Sequence, residues 1–202
     1  MTTVIGIRHG EVHNPDGVIY AGLPGYGLSE LGRQQAAAVG EALRDAGVVA
    51  LYASPLDRGV ETASAIADAT GLDVITDDRL AEWKHWAQWA GMTWEQLRTE
   101  ARDAWEAYRD DPGSVRVGET LEELADRVST WLDDVTAAHG GPVVAVSHLE
   151  PLRAILLRRQ DRPANQLFDI TISPGHAVRI APEADSTARG PDTIAELLSL
   201  SR

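Results

Sequence analysis

The chain has 202 residues, 44% hydrophobic and 24% charged, with no cysteine and a formal net charge of −13. That length and balance suit a single domain over residues 1–202 with a substantial core, and the lack of cysteine excludes disulfides and thiolate metal sites. No apolar run reaches membrane-spanning length and no leader-like segment opens the chain. An acidic surface repels nucleic acid and anionic lipid, so a cytoplasmic protein with neither partner is expected.

Val4-Ile5-Gly6-Ile7 is too short an apolar run for a helix and reads as a buried strand, leading into Arg8-His9-Gly10-Glu11. Gly10 is expected to permit the turn that leaves the strand. Two turn-rich loops follow, Val12–Gly17 and Gly22–Gly27. Leu28 to Ala46 reads as a helix capped by Ser29, with Leu28, Leu31, Val39, Leu43 and Ala46 on its buried face. Val48–Ala53 is a second strand. Ser54 is expected to cap the next helix, with Pro55 at its first position and Leu56, Val60, Ala63 and Ile66 as its stripe, up to Thr70.

Asp73–Thr76 is a third strand. From about 79 to 118 the pattern loosens, and this stretch holds Trp83, Trp86, Trp89, Trp94 and Trp105, five of the six tryptophans. It reads as an insertion of short helices. Thr120 and Glu123 then form a capping box, opening a helix with Leu121, Leu124, Val128, Trp131, Leu132 and Val135 as its stripe. Pro142–Val146 is the fourth strand, running into Ser147-His148-Leu149-Glu150, and Pro151 is expected to start another helix. Two more strands are expected at about Leu167–Ile172 and His176–Ile180. The stretch 183–202 reads as a polar, flexible tail, apart from a short helix at Thr193–Leu200.

Alternating strands and helices predict an α/β fold, a three-layer sandwich with a mostly parallel central sheet and helices on both faces. The insertion is expected over the carboxyl edge of the strands. At that edge three strand ends would deliver Arg8 and His9, Ser54 with Arg58 a turn later, and Ser147 with His148.

These residue types suit phosphoryl transfer. Neutral imidazole is nucleophilic near pH 7 and can form a covalent phosphoenzyme. Fixed arginines stabilise charge on the phosphoryl oxygens. A departing alkoxide needs an acid, and Glu82, flanked by Trp83 and Trp86 that could desolvate it, is the candidate.

Several segments resemble the histidine phosphatase superfamily, the phosphoglycerate mutase-like family. They are Arg8-His9-Gly10-Glu11, Leu28 to Ala36, Ser54-Pro55-Leu56-Asp57-Arg58, Gly118-Glu119-Thr120 and Ser147-His148. The resemblance spans roughly residues 3–160. It implies His9 as the phosphorylated nucleophile, Arg8, Arg58 and His148 as the phosphate pocket, Glu82 as proton donor, and no metal or other cofactor. Asn14 stands one position before the family's usual asparagine, and Leu149 and Glu150 stand where a Gly-Gly pair is common. Asn14, Leu149, Trp83 and Trp86 join Arg8, Arg58 and His148 as candidate substrate contacts.

The partner implied is a small-molecule phosphomonoester, with a homodimer as the candidate assembly. Two rivals to a phosphatase are a phosphoglycerate mutase-like phosphomutase and a catalytically inactive phospho-ligand binding module. Glycolytic mutases resemble one another in a Glu-Arg-His-Tyr-Gly stretch, whereas here Glu82-Trp83-Lys84-His85-Trp86 stands. The tryptophans and Glu150 lead to an expected preference for bulky organic or cationic phosphomonoesters over small polyanions.

Overall fold

The computed structural model describes residues 2–194 and 196–199. Six strands form one sheet: β1 (Val4–Arg8), β2 (Ala50–Ala53), β3 (Val74–Thr76), β4 (Val143–Ser147), β5 (Ala177–Ala181) and β6 (Asp185–Arg189). Their order is β3-β2-β4-β1-β5-β6. The first four strands in that order run parallel, and β5 and β6 add an antiparallel edge. Among the described residues seven α-helices accompany them: α1 (Glu30–Leu43), α2 (Asp57–Thr70), α3 (Trp94–Thr99), α4 (Arg102–Asp110), α5 (Leu121–Ala138), α6 (Leu149–Arg159) and α7 (Glu196–Ser199). No helix among the described residues is long and apolar enough to cross a membrane.

Strand residues point alternately to the two faces, and β4 shows it. Val144 and Val146 join Ile5, Ile7 and Leu51 in a core covered by Val39 and Leu43 of α1, Ala63 and Ile66 of α2, and Leu197 of α7. Val143 and Ala145 face the other way, against Leu124 and Val128 of α5 and Leu152 and Ile155 of α6. Helices therefore cover both faces of a sheet whose central strands are apolar up to their last residues, Arg8 of β1 and Ser147 of β4. At Gly6 a Cβ would stand 2.3 Å from Leu152 Cδ2, so the glycine lets α6 lie close on β1.

Several boundaries differ from the sequence reading. On α1 the buried face carries Gly32, Ala36, Val39, Gly40 and Leu43, while Leu31 is 48% exposed. The reason is Gly32, where a Cβ would meet the Glu11 carbonyl at 2.0 Å; this close approach turns the glycine side inward and Leu31 out. Gly10 serves the same contact, since a Cβ there would stand 2.5 Å from the Gly32 carbonyl oxygen, and it needs no left-handed turn. Ser29 caps α1 as expected, accepting from Gly32 N. Ser54 caps nothing: α2 begins at Asp57 after Leu56, and its buried side carries Arg58, Gly59, Thr62, Ala63 and Ile66 rather than Val60.

Helix α6 starts at Leu149, two residues before Pro151. The proline stands in the first turn, where a missing N–H leaves no intrahelical bond unmade. The strand expected at 167–172 is absent. Ala164–Asp169 is a 3-10 helix, and the carbonyls of Ile170 and Ile172 accept from Arg153 Nε (2.7 Å) and Arg8 Nη1 (2.7 Å) instead of a neighbouring strand. The stretch read as an irregular tail holds β6, α7 and the buried Ile194. An edge strand such as β6 carries polar residues freely, which is why alternation did not reveal it. Of the short helix expected there, Ala195 and Leu200 lie outside the described residues.

The insertion is made of short pieces: a 3-10 turn at Asp78–Leu80, a second at Lys84–Trp89, α3, α4, and a third turn at Pro112–Ser114. A capping box at Thr93 and Gln96 starts α3. Its inner side is aromatic. Tyr108 is buried and lies 5.4 to 5.9 Å, centroid to centroid, from the rings of Trp83, Trp86, Trp89, His85 and Trp105.

Candidate active site

Parallel β1, β2 and β4 end at one edge, so the residues after them meet there. His9 N donates to Ser147 O (3.0 Å), which locks the end of β1 to that of β4. His9 Nδ1 lies 2.7 Å from Gly10 O, a contact that places the ring proton on Nδ1 and leaves a lone pair on Nε2. Arg58 Nε donates to that Nε2 at 3.3 Å. Burial, with the Arg58 charge adding to it, pushes His9 down to about 3, so its imidazole is neutral across the physiological range.

His148 faces His9 with ring centroids 5.1 Å apart. Its Nε2 lies 2.7 Å from Ser54 Oγ, and Ser54 Oγ accepts from Leu56 N at 3.3 Å. The hydroxyl keeps one proton and a second lone pair, so it can give that proton to Nε2 and leave the His148 proton on Nδ1. Among the described residues that buried Nδ1 has no partner. Burial, followed by the Arg58 charge, holds His148 well below the ordinary histidine value.

Both arginines are anchored by carbonyls. Arg58, 1% exposed, donates Nη2 to Ala21 O (2.7 Å) and lies over the Tyr20 ring at 4.8 Å. Arg8 donates Nη1 to Ile172 O, while its Nε is buried without a partner among the described residues. Thr62 ties the two segments together, receiving from Gly10 N (3.1 Å) and donating to Arg58 O (2.7 Å).

Glu82 comes from the insertion. Its Oε1 accepts from Trp83 N at 2.8 Å. Desolvation and the neighbouring Glu150 carboxylate raise Glu82 to about 7, against the pull of Arg58 and Arg8. Glu82 and Arg8 line a cavity of about 260 Å³ together with Asn14, Trp86, Leu149 and Glu150.

The other expected contacts divide. Trp86 and Leu149 stand in the cavity wall. Trp83 does not: it is 1% exposed and gives its indole N–H to Glu119 O at 2.8 Å, so it packs the insertion. Asn14 reaches the cavity, but its side chain is closed on Val18, donating to its carbonyl (2.8 Å) and accepting from its N–H (3.2 Å). Sequence reasoning did not find Tyr20 or the Ser54–His148 contact, and did not separate Trp94, which lines the cavity, from the other tryptophans. A serine at a strand's carboxyl end was the available signal for Ser54.

A neutral imidazole whose Nε2 lone pair is held by Arg58 Nε, two arginines and a carboxyl group protonated near neutrality can carry nucleophilic substitution at phosphorus with proton transfer to the leaving group.

The model of the histidine phosphatase superfamily (branch 1) matches residues 4–188. An uncharacterised Mycobacterium tuberculosis protein is 38% identical over 168 residues, covering 77% of each chain. Phosphoserine phosphatase 1 of Hydrogenobacter thermophilus is 36% identical over 159 residues, 77% of this chain and 74% of its own. The solved structure of mycobacterial glucosyl-3-phosphoglycerate phosphatase superposes with a TM-score of 0.79 at 27% identity, over 88% of this chain and 91% of that one.

Proposed function

The chain belongs to the histidine phosphatase superfamily, and from that premise we propose that it hydrolyses small organic phosphomonoesters through a phosphohistidine on His9. The carrying observation is the state of His9: neutral, with Nδ1 at the Gly10 carbonyl and Nε2 facing Arg58. Phosphatase relatives acting on phosphoserine and on glucosyl-3-phosphoglycerate, by their names, support hydrolysis over phosphoryl transfer between alcohols.

In this reading the ester's phosphoryl oxygens take the hydrogen bonds of Arg58, Arg8 and His148 Nδ1. Arg58 turns from His9 Nε2 to the phosphate and frees the lone pair. Nε2 attacks phosphorus, the phosphorus–oxygen bond to the alcohol breaks, and Glu82 gives its proton to the departing oxygen. A water molecule then passes a proton to the Glu82 carboxylate and attacks phosphorus. The phosphorus–nitrogen bond breaks, inorganic phosphate leaves, and both groups return to their starting states. Every charge is met by a side chain, so the reaction is proposed to need no metal.

The test is covalent labelling. A phosphomonoester labelled on phosphorus should leave acid-labile label on the wild-type protein and none on His9→Ala, whose turnover falls to background while its circular dichroism stays native. EDTA should leave wild-type turnover unchanged. Label of equal yield on His9→Ala overturns the assignment, and transfer of label to added phosphoglycerate in preference to water would favour a mutase.

A further inference from the structure

We propose that Glu150 is the specificity residue of this cavity and that it selects a phosphomonoester whose alcohol part carries an ammonium group, a phosphorylated amino alcohol. The inference rests on the hydrolase reading above and adds the substrate class.

Glu150 is the second residue of α6, two positions after His148. It is 4% exposed and lines the same cavity as Arg8 and Glu82. One of its oxygens is occupied: Oε1 receives Arg153 Nη1 at 3.1 Å and the Tyr108 hydroxyl at 3.4 Å. The other, Oε2, is buried and has no partner among the described residues. A buried carboxylate oxygen left unpaired is costly, and a donor supplied by a ligand removes that cost.

Arg153 is itself held, by the Ile170 carbonyl at 2.7 Å, so the pair fixes the direction of the carboxylate. Trp86 and Trp94 stand in the same wall. Aromatic faces attract ammonium groups, and an ammonium meeting Oε2 makes a charge-assisted hydrogen bond. The cavity thus has a cationic wall residue in Arg8, whose Nε is also unpartnered among the described residues, and an anionic one in Glu150. A ligand with phosphate at one end and ammonium at the other matches both. Volume limits its size: about 260 Å³ is smaller than the cavities that take drug-sized ligands. The Glu150 carboxylate disfavours a second anionic group on the substrate, which weighs against phosphoglycerates.

The experiment compares kcat/KM for phosphoethanolamine, 2-hydroxyethyl phosphate and 3-phosphoglycerate, with p-nitrophenyl phosphate reporting the chemistry. Phosphoethanolamine and 2-hydroxyethyl phosphate differ in one terminal group. The wild-type protein should favour phosphoethanolamine roughly ten- to hundredfold, the range of a hydrogen bond to a charged group. Glu150→Gln should bring that ratio close to one, chiefly through KM. Because Glu150→Gln alone leaves the Arg153 charge buried without its counter-ion, Glu150→Gln with Arg153→Met, which removes both charges together, serves as the second variant. A wild-type ratio near or below one, 3-phosphoglycerate as the best of the three, or an unchanged ratio in a folded variant overturns the inference while p-nitrophenyl phosphate turnover keeps the hydrolase reading. Failure to turn over any of the four esters overturns the hydrolase reading, and this inference with it.

Discussion

Two regions build the site by different means. The strand ends and the first turn of α2 hold His9, His148 and Arg58 at 3%, 0% and 1% exposure, the histidines placed by strand register and all three by bonds to carbonyls or hydroxyls. The insertion, residues 78–118, places Glu82 by packing. Its carboxylate has a bond to the next residue's own N–H, and the ring cluster around Tyr108 holds the segment in place. Sheet register has little freedom to drift, so this part of the site is fixed by the sheet. A wall of indoles can be resculpted without disturbing the sheet.

The sharpest probe of this contrast is Glu82→Gln. If the insertion contributes the acid, alkyl phosphate turnover should fall by about 10²–10⁴-fold and aryl phosphate turnover much less, because a phenolate leaves unaided. The pH profile gives the same information. Glu82 titrates at about 7 and must be protonated to donate, so alkyl ester turnover should decline as pH rises through that value. The variant should lose the decline. Equal losses on both ester types would show that the insertion only shapes the cavity.

Trp83→Ala tests the packing side. Trp83 is buried against His85 and Tyr108, at 4.9 and 5.9 Å between ring centroids. Its truncation should cost about 3–5 kcal/mol in urea unfolding. A loss below about 1 kcal/mol would mean that the aromatic cluster does not hold the insertion.

The smallest effect is expected at the strand ends from Ser54→Ala. It removes one hydroxyl from His148 Nε2, worth roughly 0.5–1.5 kcal/mol. Inorganic phosphate should inhibit the variant up to about tenfold less strongly, since His148 no longer presents a fixed Nδ1–H. Unchanged phosphate inhibition would reduce Ser54 to a packing residue.

Much of this was legible in the amino-acid order. Short apolar runs ending in Arg8-His9, Ser54 and Ser147-His148 located three strands and the edge they share, because β-strands alternating with helices leave few other arrangements. The stripe of α5 and its capping box at Thr120 and Glu123 were local, and local signals survive folding. Leu31 and Val60 were misread because periodicity marks an apolar face, whereas the glycines beside them mark where backbones touch. The strand expected at 167–172 failed because its carbonyls are spent on Arg153 and Arg8, partners far away in sequence.

What the sequence by itself determined, then, was the set of residue types at the ends of parallel strands, histidines and an arginine with serines beside them, since residue type and strand position are both local properties. Only the tertiary structure decided what each group is free to do. It paired Ser54 with His148, closed Asn14 on Val18, buried Trp83 and left Trp86 in the wall, and bound one oxygen of Glu150 while leaving the other buried and without a partner among the described residues. Those outcomes depend on distances between side chains from separate elements, and neither spacing nor periodicity along a chain encodes them.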